Sequence, residues 1–212
     1  IVQSGNDAAI AIAEGMAGSE EAFARLMTEE GRRIGLKAST FRNATGLYHP
    51  EHLTTAKDLA ILARHLIREY PDLYPLFAQR DFQYRKHRFT NRNPILGLGG
   101  VDGLKTGFIC DSGYNVVASA TRDGRQMMAV VLGSNSALER AVRAATLLDH
   151  GFDTYGWKML FGAPTLDTIP PAPESKSVVS IRTAVTSWSC GNRRPRVARK
   201  MPDAAAAKKS EA

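Results

Sequence analysis

No apolar run in this sequence is long enough to cross a bilayer. The longest stretch near the end of its body, Met127 to Gly133, is strand-sized. Cysteine is scarce: Cys110 and Cys190 lie far apart, allow one bridge and do not demand it, so free thiols are expected. The five histidines, His49, His52, His65, His87 and His150, pair with no cysteine or glutamate at zinc-ligand spacing. A zinc peptidase is therefore set aside, and neither a metal nor an organic cofactor is implied. The Gly-x-Ser-x-Gly elbow of α/β-hydrolases does not occur. A phosphate-binding loop fails as well. In Gly99-Gly100-Val101-Asp102-Gly103-Leu104-Lys105-Thr106 a leucine separates the last glycine from the lysine, and a strand is expected to follow where such a loop needs a helix.

The net charge of +7 suggests an anionic partner until its position is considered. Residues 1–155 carry 18 Lys and Arg against 17 Asp and Glu, so the excess lies in the tail beyond them. Nucleic acid is not an expected partner. The tail reads either as a solvated basic segment or as a peripheral contact to an anionic membrane or polymer. At the other end, Ile1 follows no methionine, basic segment or signal-peptide core, and the first residues already read as part of a packed element. The expectation is a chain that begins inside a domain.

Helical signals come first. Asn6 or Asp7 is placed to cap the small-residue run Ala8–Ala17, and Ser19, ahead of Glu20 and Glu21, caps a second helix presenting Phe23, Leu26 and Met27 on one face. Residues 36–53 read as a long loop. Thr55, with Asp58 as a short capping box, starts a helix whose stripe is Leu59, Leu62, Ala63, Leu66 and Ile67 and which Pro71 stops. From about residue 81 the period becomes two, through Phe82, Tyr84 and Phe89. Strands are expected over 101–109, 114–121 and 126–132, the last two joined at Asp123-Gly124, a type I′ hairpin signal. Ser136 opens a closing helix that ends near Gly151. Helices, then an antiparallel sheet, then a covering helix make an α+β order. Residues 1–80 form the helical part and 81–160 the sheet part. Residues 161–212 form a Pro-rich then basic tail expected to be disordered, with little fixed structure after about 183.

Two motifs carry chemistry. Ser4-Gly5-Asn6 stands at a helix entry, and Lys105-Thr106-Gly107 lies on a strand about 100 residues later. Each is weak alone. In this order, on a helical part and a sheet part, they can form opposite walls of one cleft, as in penicillin-recognising serine enzymes. Around them, Gly18 to Phe23, Asn43 to Leu47, Leu53 to Ala60, Asn91-Arg92-Asn93, Val101 to Gly107 and Gly113 to Ala120 resemble D-alanyl-D-alanine carboxypeptidases over roughly residues 1–160. The resemblance implies a β-lactamase/transpeptidase-like fold, incomplete at its N-terminus. It implies a serine-type hydrolase of the bacterial envelope that removes the terminal D-alanine from peptidoglycan stem peptides through an acyl-serine, and that takes β-lactams in its full-length members.

Carried onto this sequence, the resemblance makes Ser4 a proton relay and Asn6 the holder of the substrate's amide. Lys105 becomes the cation facing the substrate carboxylate and Thr106 a hydroxyl donor to it. Gly107 becomes a bare strand edge for the substrate backbone, and Phe108 an oxyanion donor through its backbone N–H. Arg92 and Arg140 fall where the family places carboxylate-binding arginines; surface or structural roles stay equally open. The family's nucleophile and base lie in Ser-x-x-Lys, which occurs nowhere in the 212 residues; Ser119-Ala120-Thr121-Arg122 comes nearest. The expectation is a chain inactive by itself. The alternative is a non-catalytic peptidoglycan-binding remnant or pseudoenzyme.

Overall fold

A computed structural model describes residues 1–170, 180–187 and Cys190. Helix α1, Asn6–Ala17, begins at Gly5 without a side-chain cap; Asn6 is already helical, and the Asp7 carboxylate accepts from the N–H of Ala8 instead. The expected Asn6 or Asp7 cap is thus corrected. Helix α2, Glu20–Arg33, starts as expected: Ser19 Oγ accepts from Ala22 N–H at 3.1 Å. Its buried face differs from the expected one. Ala24, Thr28 and Gly31 are buried while Leu26 is 49% exposed. The reason is the loop that follows, which brings Leu36 and Phe41 against Gly31, where only a small-residue face admits them.

Helix α3, Ala56–Glu69, is capped by Thr55, whose hydroxyl accepts from Asp58 N–H. Asp58 completes no capping box. It is buried and accepts from Ala38 N–H at 2.8 Å and Ser39 Oγ at 2.7 Å, so it fastens the preceding loop to the helix. The same loop is closed by one bridge between Thr40 and Leu53.

A small hairpin pairs β1, Asp81–Tyr84, with β2, His87–Thr90. The main sheet is antiparallel in the order β3-β4-β5, with β3 at Val101–Ile109, β4 at Gly113–Arg122 and β5 at Arg125–Ser134. Asp123 and Gly124 both take positive φ, the conformation a two-residue type I′ turn requires. Arg122 ties this end of the hairpin down, bonding Gly99 O and pairing with Asp149 on the covering helix.

That helix, α4, spans Ala137–Leu160 and is capped by Ser136. It does not end near Gly151 as expected; Gly151 lies against Met127 of β5, and the helix runs nine residues further. Val116, Ala118 and Ala120 of β4 and Ala129 and Val131 of β5 pack against Ala141, Ala144 and Leu148 of α4 in the main core. Helix α3 approaches β4 and β5 by a separate contact and lines the cleft described below.

The tail also departs from expectation. Asp167 forms a two-pronged ion pair with Arg64 of α3. Lys57 donates to Ile169 O, and Val185 is fully buried. Cys110 and Cys190 form a disulfide and are not free thiols. Eighty residues of separation hid the pairing in the sequence; the fold brings the two Cα atoms to 5.5 Å. The expected basic run from Arg193 onward lies outside the described residues.

Candidate active site

Residues 1–4 are strapped to the segment after β2. Val2 is buried and its carbonyl accepts from Arg92 N–H. Gln3 Nε2 donates to Thr90 O at 2.6 Å, and Arg92 Nε donates to Gln3 O at 2.9 Å. Ser4 N–H closes a turn onto Ile1 O, and Ser4 itself sits at φ 55°. A left-handed serine costs about 1–2 kcal/mol, a placement that surrounding contacts must hold. The result is a Ser4 hydroxyl fixed just ahead of α1.

Lys105 comes from the middle of β3, with its side chain folded toward that hydroxyl. Its Nζ donates to Ser4 Oγ at 2.8 Å and to Thr106 O at 2.6 Å. Burial lowers the Lys105 pKa below its ordinary value, and the positive charges of Arg92 and Arg140 lower it further. A proton on this ammonium is therefore easier to give away than one on a surface lysine.

The two arginines are largely occupied by backbone. Arg140, in the first turn of α4, is 5% exposed; it donates to Asn115 O and Arg92 O and lies beside the Tyr114 ring. Burial pushes its pKa down, though a guanidinium stays charged. Arg92 spends its fork on Gln3. Each guanidinium has five N–H donors, so these contacts leave capacity for an anion.

Thr106 is buried and Gly107 borders open space, with no atom within 4 Å of where a Cβ would stand. Among the described residues β3 pairs on one side only, so its other edge is available to an extended chain. The Phe108 ring leans on Tyr114, centroids 4.2 Å apart, and the Asn6 amide is exposed at the head of α1. Lys105, Thr106 and Gly107 line a largely apolar cleft of about 690 Å³ between β3, β4 and α3; Leu59, Leu62 and Leu66 form its far side. Ser4, Asn6, Phe108, Arg92 and Arg140 do not line this cleft. The structure thus joins Ser4, Lys105 and the two arginines in one electrostatic cluster at its margin and leaves Asn6 and Phe108 outside the direct contacts.

Two supporting groups escaped the sequence. Gln3, next to the serine, couples it to Arg92. Asp102, three residues before Lys105, accepts from Tyr74, from Ser119 Oγ at 2.6 Å and from Thr121 Oγ1 at 2.6 Å. Desolvation raises the Tyr74 pKa, with Asp102 adding to the rise, so the phenol remains a donor. Gly103 permits this packing: a Cβ there would come within 2.9 Å of Tyr74 Oη. Polar residues spaced along a strand gave no hint that they converge on one carboxylate.

The sequence profile of the D-alanyl-D-alanine carboxypeptidase family matches residues 1–136. The D-alanyl-D-alanine carboxypeptidase DacC of Escherichia coli is 41% identical over 154 residues, covering 72% of this chain and 38% of that protein. DacA of Haemophilus influenzae is 37% identical over 158 residues, covering 73% and 40%. Among solved structures, penicillin-binding protein 5 from Haemophilus influenzae superposes with TM-score 0.68 at 37% identity, covering 71% of this chain and 44% of that one. Penicillin-binding protein D2 from Listeria monocytogenes, solved in a cefotaxime-bound form, gives 0.64 at 28% identity, covering 71% and 62%. The chain therefore spans about two fifths of the length of the carboxypeptidases DacC and DacA. With the profile matched over residues 1–136 and DacC 41% identical over 72% of the chain, this chain belongs to the D-alanyl-D-alanine carboxypeptidase family.

Proposed function

We propose that this chain carries the carboxylate-recognition and proton-relay side of a serine-type D-alanyl-D-alanine carboxypeptidase acting on peptidoglycan stem peptides in the bacterial envelope. One observation carries the reading: the 2.8 Å bond from Lys105 Nζ to Ser4 Oγ, linking the two motifs across 101 residues. Because Ser4 Oγ accepts from Lys105, its own proton is free to point at a leaving amine. As that proton departs, the ammonium replaces it, and its lowered pKa favours the transfer. Thr106 and the cationic cluster of Lys105, Arg92 and Arg140 suit the substrate's terminal carboxylate. Phe108 N–H suits the oxyanion, and Asn6 suits an amide of the acyl part.

The acyl-forming serine and its base are not among these residues, because Ser-x-x-Lys does not occur in the sequence. That observation favours a second reading for the chain acting by itself: a peptide-binding module without turnover. The shared prediction is recognition of a free D-Ala-D-Ala carboxylate. Titration with Nα,Nε-diacetyl-L-Lys-D-Ala-D-Ala by calorimetry tests it. Saturable binding lost in the C-terminal amide supports recognition; equal binding of acid and amide refutes it.

A further inference from the structure

Cys110 follows the end of β3, three residues beyond Gly107, and its partner Cys190 lies at the end of a short docked segment. Residues 180–187 lie along the open end of the main sheet. Ser180 Oγ donates to Asp111 Oδ1 at 2.8 Å and Ile181 N–H to Asp111 O at 3.0 Å. A turn follows, with Ala184 and Val185 N–H groups bonding Ile181 O, and Val185 is fully buried. Thr186 then donates twice to Asn135 O, in the loop between β5 and α4. The segment therefore clamps the β3–β4 turn to the start of α4.

Ile181 is the residue that reaches the cleft. It lines the same cavity as Lys105, Thr106, Gly107 and Ile109, and closes its end over Gly113 and Gly133. Gly113 is fitted to it: φ is 70°, and a Cβ would stand 2.4 Å from Ile181 Cδ1. Beside the disulfide, the segment is held by hydrogen bonds from Ser180, Ile181 and Thr186 and by the Ile181 and Val185 side chains. The sulfur–sulfur bond is the segment's covalent tie to the β3–β4 turn, and breaking it leaves noncovalent contacts alone to hold the segment, at a lower effective concentration. Both cysteines are partly exposed.

We propose that Cys110–Cys190 is a reducible latch, which holds residues 180–187 as the end wall of the cleft beside Lys105–Gly107 and frees them when a dithiol reduces it. A thiolate of the dithiol attacks one sulfur, breaking the protein disulfide and forming a mixed disulfide. The dithiol's second thiolate then attacks that bond. Two electrons pass to the protein, both cysteine sulfurs take up protons, and the reductant leaves as its own cyclic disulfide. As a redox-set boundary for a bound peptide the latch rests on the function proposed above; as a conformational switch it stands without it.

Hydrogen exchange on the full 212-residue chain tests the switch, comparing the oxidised protein with protein reduced by dithiothreitol and alkylated. Reduction is expected to speed exchange at the Ile181, Val185 and Thr186 amides at least tenfold, with β4, β5 and α4 unchanged. The Cys110→Ser, Cys190→Ser double variant should reproduce the reduced pattern without reductant. Three results overturn the latch: two free thiols in the oxidised protein, unchanged exchange over 180–187, or faster exchange throughout the sheet, which would make the bond a global staple. Peptide binding measured on the same samples reports separately on the proposed function.

Discussion

Lys105 Nζ lies 2.8 Å from Ser4 Oγ, so a strand in the middle of the chain and a turn at its start share one proton-bearing contact. The geometry has a cost. The ammonium is half-buried, its pKa is lowered first by that burial and then by two nearby guanidiniums, and the serine it meets is held at φ 55°. Arrangements of this kind are maintained for chemistry at the expense of stability.

The first prediction follows from that cost. A lysine whose folded pKa is below its unfolded value of 10.5 makes the unfolded state the better proton binder. Its contribution to stability is then least favourable below the folded pKa, improves as pH rises through it, and levels off above 10.5. Lys105→Met removes the penalty. The variant is expected to be more stable than the parent at pH 7, with the advantage shrinking toward pH 10.5, and to bind no D-Ala-D-Ala peptide. Thermal melts across pH measure it; a variant destabilised at neutral pH would contradict the assignment.

Asp58 tests the fold on the helical side. Its buried carboxylate accepts from Ala38 N–H and Ser39 Oγ and so anchors the loop before α3. Asp58→Ala leaves both donors without their partner and is expected to cost about 2–4 kcal/mol in urea unfolding. A change under 0.5 kcal/mol would mean that the loop is not held there.

Leu148 tests the sheet side. It is 1% exposed, at the centre of the packing of α4 on β4 and β5. Truncation to alanine removes apolar contact and leaves a cavity, with an expected loss of about 2–5 kcal/mol. Val142, on the same helix but 55% exposed, should tolerate alanine within about 0.5 kcal/mol.

Covalent chemistry gives a fourth prediction. With no Ser-x-x-Lys in its 212 residues, the chain by itself should form no adduct with a fluorescent penicillin, as judged by fluorescence on a denaturing gel. A labelled band that vanished in Ser4→Ala would show that Ser4 is a nucleophile and not a relay.

Much of this molecule is legible in sequence, for reasons that differ by residue. Ser19 and Thr55 cap their helices as written, and Ser136 opens its helix as written, because capping is local: one side chain meets an N–H three residues on. Asp123-Gly124 turns as expected because few other pairs accept two positive φ values. Where tertiary contact decides, local reading fails. Asp58 abandons a capping box for a loop 20 residues back. Gly151 does not stop α4 because Met127 packs against the helix there. On α2, Leu36 and Phe41 pack against Gly31, on the face that buries Ala24 and Thr28, while Leu26 stays exposed. The site divides the same way. The motifs place Ser4 and Lys105, but the Gln3–Arg92 brace, the Asp102 cluster and the Cys110–Cys190 bond depend on long-range placement that no spacing encodes.

The most direct test of the central claim is the titration of the Lys105 side chain itself, by NMR of lysine labelled with ¹³C at Cε, with and without Nα,Nε-diacetyl-L-Lys-D-Ala-D-Ala. In the free chain the Lys105 signal, identified by its absence in Lys105→Met, should titrate with a pKa below 10.5. That pKa should rise when the peptide binds, because a carboxylate beside the ammonium favours its charged form. A Lys105 that titrates like a surface lysine, or one unmoved by saturating peptide, would contradict the account.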